Sequence, residues 1–488
     1  MEKCVAYERC GACAMLETPY AEQLARKRDA VARAFRAEGL RVQVQDVCGM
    51  EEPFHYRNKV IAAVSMRGPR VVCGLYEAFS HRVVPLSDCL LQDRRLNAVL
   101  STLESLFNSL KIRPFGYGGV LRHVLLRVGV RTGQVMVVLV TSEELMHGRK
   151  ELVSRLRAAH PSVATVVQNI QPRQTSVVLG PREKVLYGPG FIYDELLGLR
   201  YKISARSFYQ VNPAQTERLY SLALSLAALR PGDVLLDAYC GIGTIGLSAA
   251  SGASVAEASA TEVQNEADLH SEAGKTGSEV QNGVYLHPGA EKSGSEVQNG
   301  AYLHPGAEKT GADVQNGVFL HPGAGKPGSE VQNGVYLHPE AGKSGSEVQN
   351  GVYLHPGAGN KGPEVRVIGV EINGDAVRDA VANARANGIR NARFYCDDVS
   401  AFMRDFDAPV NVLMLDPPRA GCDEPFLRSV LRLSPERIVY VSCNPETQAR
   451  DVAFLTRGGR YRIDSDACPV DMFPHTGHIE NVLALRRG

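Results

Sequence analysis

Val234-Leu235-Leu236-Asp237-Ala238-Tyr239-Cys240-Gly241-Ile242-Gly243-Thr244-Ile245-Gly246-Leu247 reads as a buried strand, a glycine-rich turn and the start of a helix. Glycines in such a turn let the backbone approach a ligand closely. Gly-x-Gly alone is a weak signal. It gains weight when a second strand, about twenty residues on, ends in a carboxylate that can accept from ribose hydroxyls. Val365-Arg366-Val367-Ile368-Gly369-Val370-Glu371 is such a strand and carboxylate, yet Glu371 lies 130 residues beyond Gly241.

A repeat explains the gap. The unit Glu-Val-Gln-Asn starts at Glu262, Glu279, Glu296, Glu330 and Glu347, with Asp-Val-Gln-Asn at Asp313, always 17 residues apart. Taking 252–363 as inserted removes 112 residues and leaves a spacing of 18. One βαβ unit is therefore interrupted between its first helix and its second strand. Asn-Gly between short β-prone runs is a hairpin signal. Against it, each unit offers few apolar side chains among Gly, Pro, Ser and charges, too few to offset ordering entropy. Disorder or loose local turns is the expectation. His287, His304, His321, His338 and His355 follow the period and read as passengers of duplication. Ligands bind at the carboxyl ends of strands in a doubly wound sheet. The insertion should leave from the opposite edge.

Downstream, strand and helix patterns alternate. Asp375 to Asn387 is an amphipathic helix. Ala392 to Asp398 is a third strand with acids at its end, where a carboxylate can reach an adenine amino group. Val410 to Arg419 is a fourth strand, ending Asp416-Pro417-Pro418-Arg419. Ile438 to Pro445 is a fifth, ending Ser442-Cys443-Asn444-Pro445. Free cysteines are often simply buried, which suits Cys240 and Cys396. Asp416 and Cys443 differ, because the prolines just beyond them stiffen the backbone and hold a side chain in place. A strand-end cysteine beside a cofactor turn fits nucleophilic catalysis, which also needs a proton acceptor on another element. Glu480, before the hydrophobic strand Val482 to Leu485, is either that acceptor or an ordinary surface acid. His475 and His478 have no companion ligands for a metal set.

Bulk properties set outer bounds. With 44% hydrophobic and 22% charged residues the chain suits a folded protein of two or more domains. It has no run of eighteen apolar residues and no signal-peptide core at Met1-Glu2-Lys3-Cys4, so a cytoplasmic protein without a membrane span is expected. The net charge of +1 is an average. The insertion holds 6 Lys against 13 Asp and Glu, leaving 48 basic and 40 acidic residues elsewhere. A basic remainder is compatible with nucleic acid.

Eleven cysteines in a cytosolic chain do not read as a disulfide framework. Cys4, Cys10 and Cys13 are clustered and Cys89 is distant; spacing leaves a structural zinc and an iron–sulfur cluster both open. Cys48, Cys73, Cys422 and Cys468 show no partner pattern. Thr18 to Glu38 reads as one basic amphipathic helix. Phe54-His55-Tyr56-Arg57-Asn58-Lys59 is either an RNA grip of aromatics and charges or an ordinary strand start. The β-rich runs Leu125 to Val130 and Val135 to Val140 belong to the same half.

Taken together, Ser207-Phe208-Tyr209-Gln210-Val211-Asn212, Asp237 to Gly243, Gly369-Val370-Glu371, Asp416 to Gly421, Ser442 to Pro445 and His475 to Glu480 resemble the RNA uracil-5-methyltransferase family, in the family's order. The match is closest to its 23S ribosomal RNA, iron–sulfur type. The resemblance implies an α/β, Rossmann-like S-adenosylmethionine-dependent methyltransferase domain at 201–488, carrying the insertion. It implies a β-rich domain with a cysteine cluster at 1–200, whose early helix, 18–38, is expected to pack on the catalytic domain. Cys443 is then the nucleophile that adds to C6 of uracil, making C5 able to take a methyl group, and Glu480 the base that removes the C5 proton. Gln210, Tyr239, Glu371, Asp398 and Asp416 would line the donor and base pocket. Cys4, Cys10, Cys13 and Cys89 would hold a [4Fe-4S] cluster. The target base would be flipped into the pocket. The implied partner is 23S ribosomal RNA and the implied state a monomer. Transfer RNA is the alternative substrate, and a non-catalytic iron–sulfur RNA-binding protein the alternative class. Some members carry an extra N-terminal RNA-binding barrel. Cys4 stands almost at the terminus, so that barrel is expected to be absent.

Overall fold

A computed structural model describes residues 4–252 and 364–488 except 79 and 87, together with strand positions between 279 and 354. Outside the insertion the chain forms one unit built on two sheets. The first sheet has the order Val83–Pro85, Arg70–Tyr76, Lys59–Arg67, Leu121–Val128, Val135–Thr141, Val163–Ile170 and Arg182–Tyr187. Its strand Leu121–Val128 shows why two cores form. Val124, Leu126 and Val128 point to one face and pack with Leu96, Leu100 and Leu103 of helix Arg94–Ser109. Leu125, on the other face, joins the core of the nucleotide-binding half with Leu235 and Met414. Period-two alternation thus buries both faces of one strand. A divide at residue 200 falls inside the strand Leu199–Ser204, paired along its length with Phe191–Leu196.

The second sheet is parallel through Ala392–Cys396, Arg366–Glu371, Val234–Ala238, Val412–Leu415 and Arg437–Ser442, as the alternating pattern predicts. The last strand, Glu480–Arg487, turns back antiparallel on Arg437–Ser442. Helix Tyr20–Ala37 packs here, with Val31, Ala34 and Phe35 in the core that includes Leu236 and Val452. No helix among the described residues is long and apolar enough to cross a membrane.

That early helix is tied to the far end of the chain by a buried ion pair. Lys27 Nζ lies 2.6 Å from Asp471 Oδ1 and 3.1 Å from the Phe473 carbonyl. The Tyr20 hydroxyl donates to the other Asp471 oxygen at 2.9 Å. Removing one member of a buried pair strands the other charge and costs roughly 3–5 kcal/mol. Lys27→Met should lose about that much in urea-monitored unfolding; a loss under about 1 kcal/mol, the range of exposed pairs, would contradict it.

In the insertion, each of the five repeats from Glu279 onward gives one strand to each of two five-stranded parallel sheets. Glu279 pairs with Glu296, Glu296 with Asp313, Asp313 with Glu330 and Glu330 with Glu347, one period per step. The strands either side of Asn-Gly therefore pair with the next repeat rather than with each other, as coils of a solenoid do. Extended, paired backbone replaces the expected loose turns at these strand positions. The disorder expected for the rest of 252–363 concerns residues outside those described. Both junctions lie at the amino ends of the strands: Arg366 N donates to the Asp233 carbonyl. The Asn391 side-chain amide bridges them, donating to the Ala250 carbonyl at 2.8 Å and the Val365 carbonyl at 2.7 Å. Deleting 252–363 should leave methyl transfer within about threefold of the intact chain. A deletion variant with a normal circular-dichroism spectrum and no activity would refute this.

Candidate active site

The glycine turn forms as read. The strand Val234–Ala238 is wholly buried, and Tyr239, Gly241 and Gly243 follow with φ of 69°, 55° and 82°. This left-handed backbone is easy for glycine and costly for tyrosine, so Tyr239 is held by its surroundings. The turn and Phe208–Gln210 border a pocket of about 340 Å³, counting its mouth. Gln210, Tyr239 and Asp416 line it, with Phe208, Tyr220, Asp237 and Cys240. Glu371, at the end of the next strand, accepts from Gly241 N at 3.2 Å and Asn373 N at 2.8 Å. A carboxylate has about four acceptor positions, so lone pairs remain for ribose hydroxyls. A turn whose glycines leave room and a strand-end carboxylate fit S-adenosylmethionine. Asp398 is exposed and caps helix Val399–Asp405 by accepting from Ala401 N; it does not line the pocket itself, but its charge acts on Tyr239, which does.

Asp237 and Asp416 belong to this pocket, and both carboxyls are pushed up to about 7. Burial dominates in both; for Asp237 the neighbours Asp416 and Glu371 add to it, against a hydrogen bond from Gly246 N. Cys240 is a buried neutral thiol, also raised mainly by burial.

Cys443 ends the strand Arg437–Ser442. Antiparallel pairing sets Ser442 opposite Asn481, so one step further the register points Cys443 toward Glu480. The turn is rigid. Ser442 Oγ donates to the Asn444 carbonyl and accepts from Asn444 N, and Asn444 caps helix Pro445–Thr456. Gln448 locks that helix to both strands through the Tyr440 and Asn481 carbonyls. The Cys443 thiol is raised by burial and then by Glu480; a hydrogen bond and the charge of Arg419 oppose this. Glu480 is buried, and its carboxyl is held far above the ordinary range by burial and then by Asp416, with Arg419 again opposing.

Arg419 is the residue that spacing arguments missed. It stood inside a quoted motif, but nothing local showed what it faces. Its Nη2 lies 2.6 Å from His478 Nδ1, and its carbonyl accepts from Asn444 and Thr447. Phe208 was also passed over; it is 59% exposed at the pocket wall, unusual for a large apolar ring. The loop carrying Glu480 is pinned from the N-terminal half. His475 exchanges hydrogen bonds with the Gln23 side chain and stacks on Phe54 with centroids 4.6 Å apart. The Tyr56 hydroxyl donates to the Pro474 carbonyl, and Asn58 Nδ2 to the Gln210 carbonyl. In Phe54–Lys59, these side chains are therefore spent on internal contacts.

Cys4, Cys10, Cys13 and Cys89 do line one pocket, with Tyr7, Leu16, Leu86 and Leu90. Burial pushes the Cys13 thiol up to about 12 and raises Cys10 and Cys89. Among the described residues no group of three or more His, Cys, Asp or Glu side chains is placed to hold a metal ion. The expected [4Fe-4S] cluster on Cys4, Cys10, Cys13 and Cys89 is corrected accordingly.

A model of the family tRNA (uracil-5-)-methyltransferase matches residues 364–488. An RNA methyltransferase of Halalkalibacterium halodurans is 32% identical over 490 residues, covering 99% of this chain and 82% of that protein. One of Listeria innocua is 31% identical, covering 99% and 83%. The crystal structure of Pyrococcus abyssi tRNA (uracil-54, C5)-methyltransferase in complex with S-adenosyl-L-homocysteine has a similar fold. Its TM-score is 0.61 at 22% identity, covering 97% of this chain and 85% of that one. These similarities also correct the expected 23S ribosomal RNA, iron–sulfur type: the matching model and the similar structure both carry the name of a transfer RNA enzyme. The chain belongs to the RNA methyltransferase family and is an S-adenosylmethionine-dependent RNA (uracil-5-)-methyltransferase.

Proposed function

We propose that the chain methylates C5 of a uridine in transfer RNA, with Cys443 as nucleophile and Glu480 as base. The convergence of Cys443, Glu480, Asp416 and Arg419 beside the cofactor pocket carries this reading. The transfer RNA enzymes named above support the substrate class.

Bound S-adenosylmethionine supplies an electrophilic methyl group. Arg419 stabilises the Cys443 thiolate, which forms a bond to C6 of the uracil. Negative charge moves toward the C4 oxygen, and C5 becomes nucleophilic. Asp416, whose carboxyl is pushed up to about 7 by burial, can in its protonated form donate to a carbonyl oxygen as that charge develops. After methylation, ionised Glu480 takes the C5 proton, the C6–sulfur bond breaks and the thiolate is restored. Phe208 offers its exposed ring for stacking against the flipped base. Gln210, Tyr239 and Glu371 hold the donor.

The test is to map 5-methyluridine in transfer and ribosomal RNA from a strain lacking the gene, and again after its return. Loss and recovery in transfer RNA is expected. Loss confined to ribosomal RNA would overturn the substrate assignment.

A further inference from the structure

We infer that an exposed aromatic and basic patch on the first sheet, formed by Tyr76, His81, Phe115, Arg122 and His123, docks unpaired nucleotides of the RNA substrate. The inference rests on the RNA reading above. The Tyr76 hydroxyl is 3.2 Å from His123 Nε2, and both histidine rings meet the Tyr76 ring edge-on, with centroids 5.8 Å (His81) and 6.2 Å (His123) away. The Arg122 guanidinium lies 5.3 Å from the centre of the Phe115 ring. Tyr76 and Phe115 are exposed, as is nearby Tyr117. Large rings held at the surface by one another and by a cation are poor candidates for a core. They are suited to stacking on bases, each of which presents a π face.

Charge favours the same partner. Arg122 directs two hydrogen bonds to the Gln171 and Arg173 carbonyls, which fixes its position without neutralising it. Glu77, beside Tyr76, is taken by Arg82 at 2.6 Å. The patch therefore presents aromatic faces and the Arg122 guanidinium, which has no ion-pair partner among the described residues, as a nucleotide chain requires.

Position connects the patch to the catalytic pocket. His123 and Arg127 lie on the same face of strand Leu121–Val128, four residues and so about 13 Å apart. Arg127 donates to the Ser204 and Ser207 carbonyls and so holds the segment that presents Phe208 and Gln210. Between them Leu125 is covered by the catalytic half, so the sheet emerges at His123. Flipping one base leaves its neighbours unstacked. A surface at this distance can stack a nucleotide a few places along the chain.

The test compares the full-length protein with Tyr76→Ala and Tyr76→Ala/Arg122→Ala, using a transfer RNA transcript. Loss of one stacked base should raise KM roughly tenfold. The double variant should also weaken the salt dependence of binding, with kcat within about twofold, and Tyr76→Phe should behave as wild type. In parallel, a transcript carrying 4-thiouridine is photocrosslinked to the wild-type protein, and the peptides holding Tyr76 and His123 should be labelled. That second arm decides the matter if the variants fail to fold. Unchanged KM in folded variants, or crosslinks confined to other peptides, would overturn the patch alone. A wild-type protein that methylates no uridine in the transcript would bring down the functional reading and the patch with it.

Discussion

Replacing Cys443 by alanine is expected to lower methyl transfer at least about 10,000-fold, the scale seen when a covalent nucleophile is removed. RNA and S-adenosylmethionine binding should stay near wild type, because Cys443 is held by its turn and does not line the cofactor pocket. The physical reason is that no other group replaces it. Cys240 is the pocket's own thiol, but it is buried beside Asp237 and Glu371, which hold it protonated. Cys422 hydrogen-bonds with Tyr440 and is likewise held high by burial and Asp451. Single-turnover transfer to a transcript measures the loss. A transcript bearing 5-fluorouridine adds a second readout, since fluorine at C5 blocks the final elimination and traps the adduct. The wild-type protein should form this stable complex and Cys443→Ala should not. A variant retaining a tenth of the activity would remove Cys443 from the mechanism.

Glu480→Gln should fail at a different point. Thiolate addition and methylation need no base at C5, so the variant should proceed to the methylated adduct and stop. Covalent protein–RNA complex should accumulate, visible on a denaturing gel, while turnover falls roughly 100- to 10,000-fold, the usual worth of a positioned base. The sign of the pH effect follows from burial. Burial and Asp416 hold the Glu480 proton on well above the ordinary carboxyl range. A base works only when ionised, so turnover should rise as pH increases through that raised pKa. The rise should be absent in Glu480→Gln. A glutamine variant that turns over normally without accumulating adduct would place the base elsewhere.

The second sheet and most of its polar strand ends were readable from the chain because each sits at a carboxyl end, just past an apolar run. The rule placed Asp416 and Cys443 at strand ends, while Gln210 came from the resemblance alone. The pinning of the Glu480 loop was not readable. Gln23 and His475 are 452 positions apart, and Lys27 and Asp471 are 444; no local pattern records such pairs. Phe54–Lys59 stayed open between two readings for the same reason, since aromatics and charges look alike whether they meet RNA or a distant loop. Asp398 has a second use that a strand-end acid leaves open, and one of its oxygens caps a helix. The four N-terminal cysteines show the converse limit: their meeting in one pocket was foreseeable, but spacing does not record whether the side chains converge on a metal-binding geometry.

Asn391 has a practical consequence. One side-chain amide fastens the two chain ends from which 112 residues depart, at the edge of the sheet remote from the cofactor turn. Loop-closure entropy grows only slowly with length, so a fixed doorway of this kind is indifferent to what passes through it. Repeats could be gained or lost in whole units at little cost to the catalyst. A fluorescent or affinity module spliced between Ser251 and Glu364 would likewise report on the enzyme without entering its chemistry.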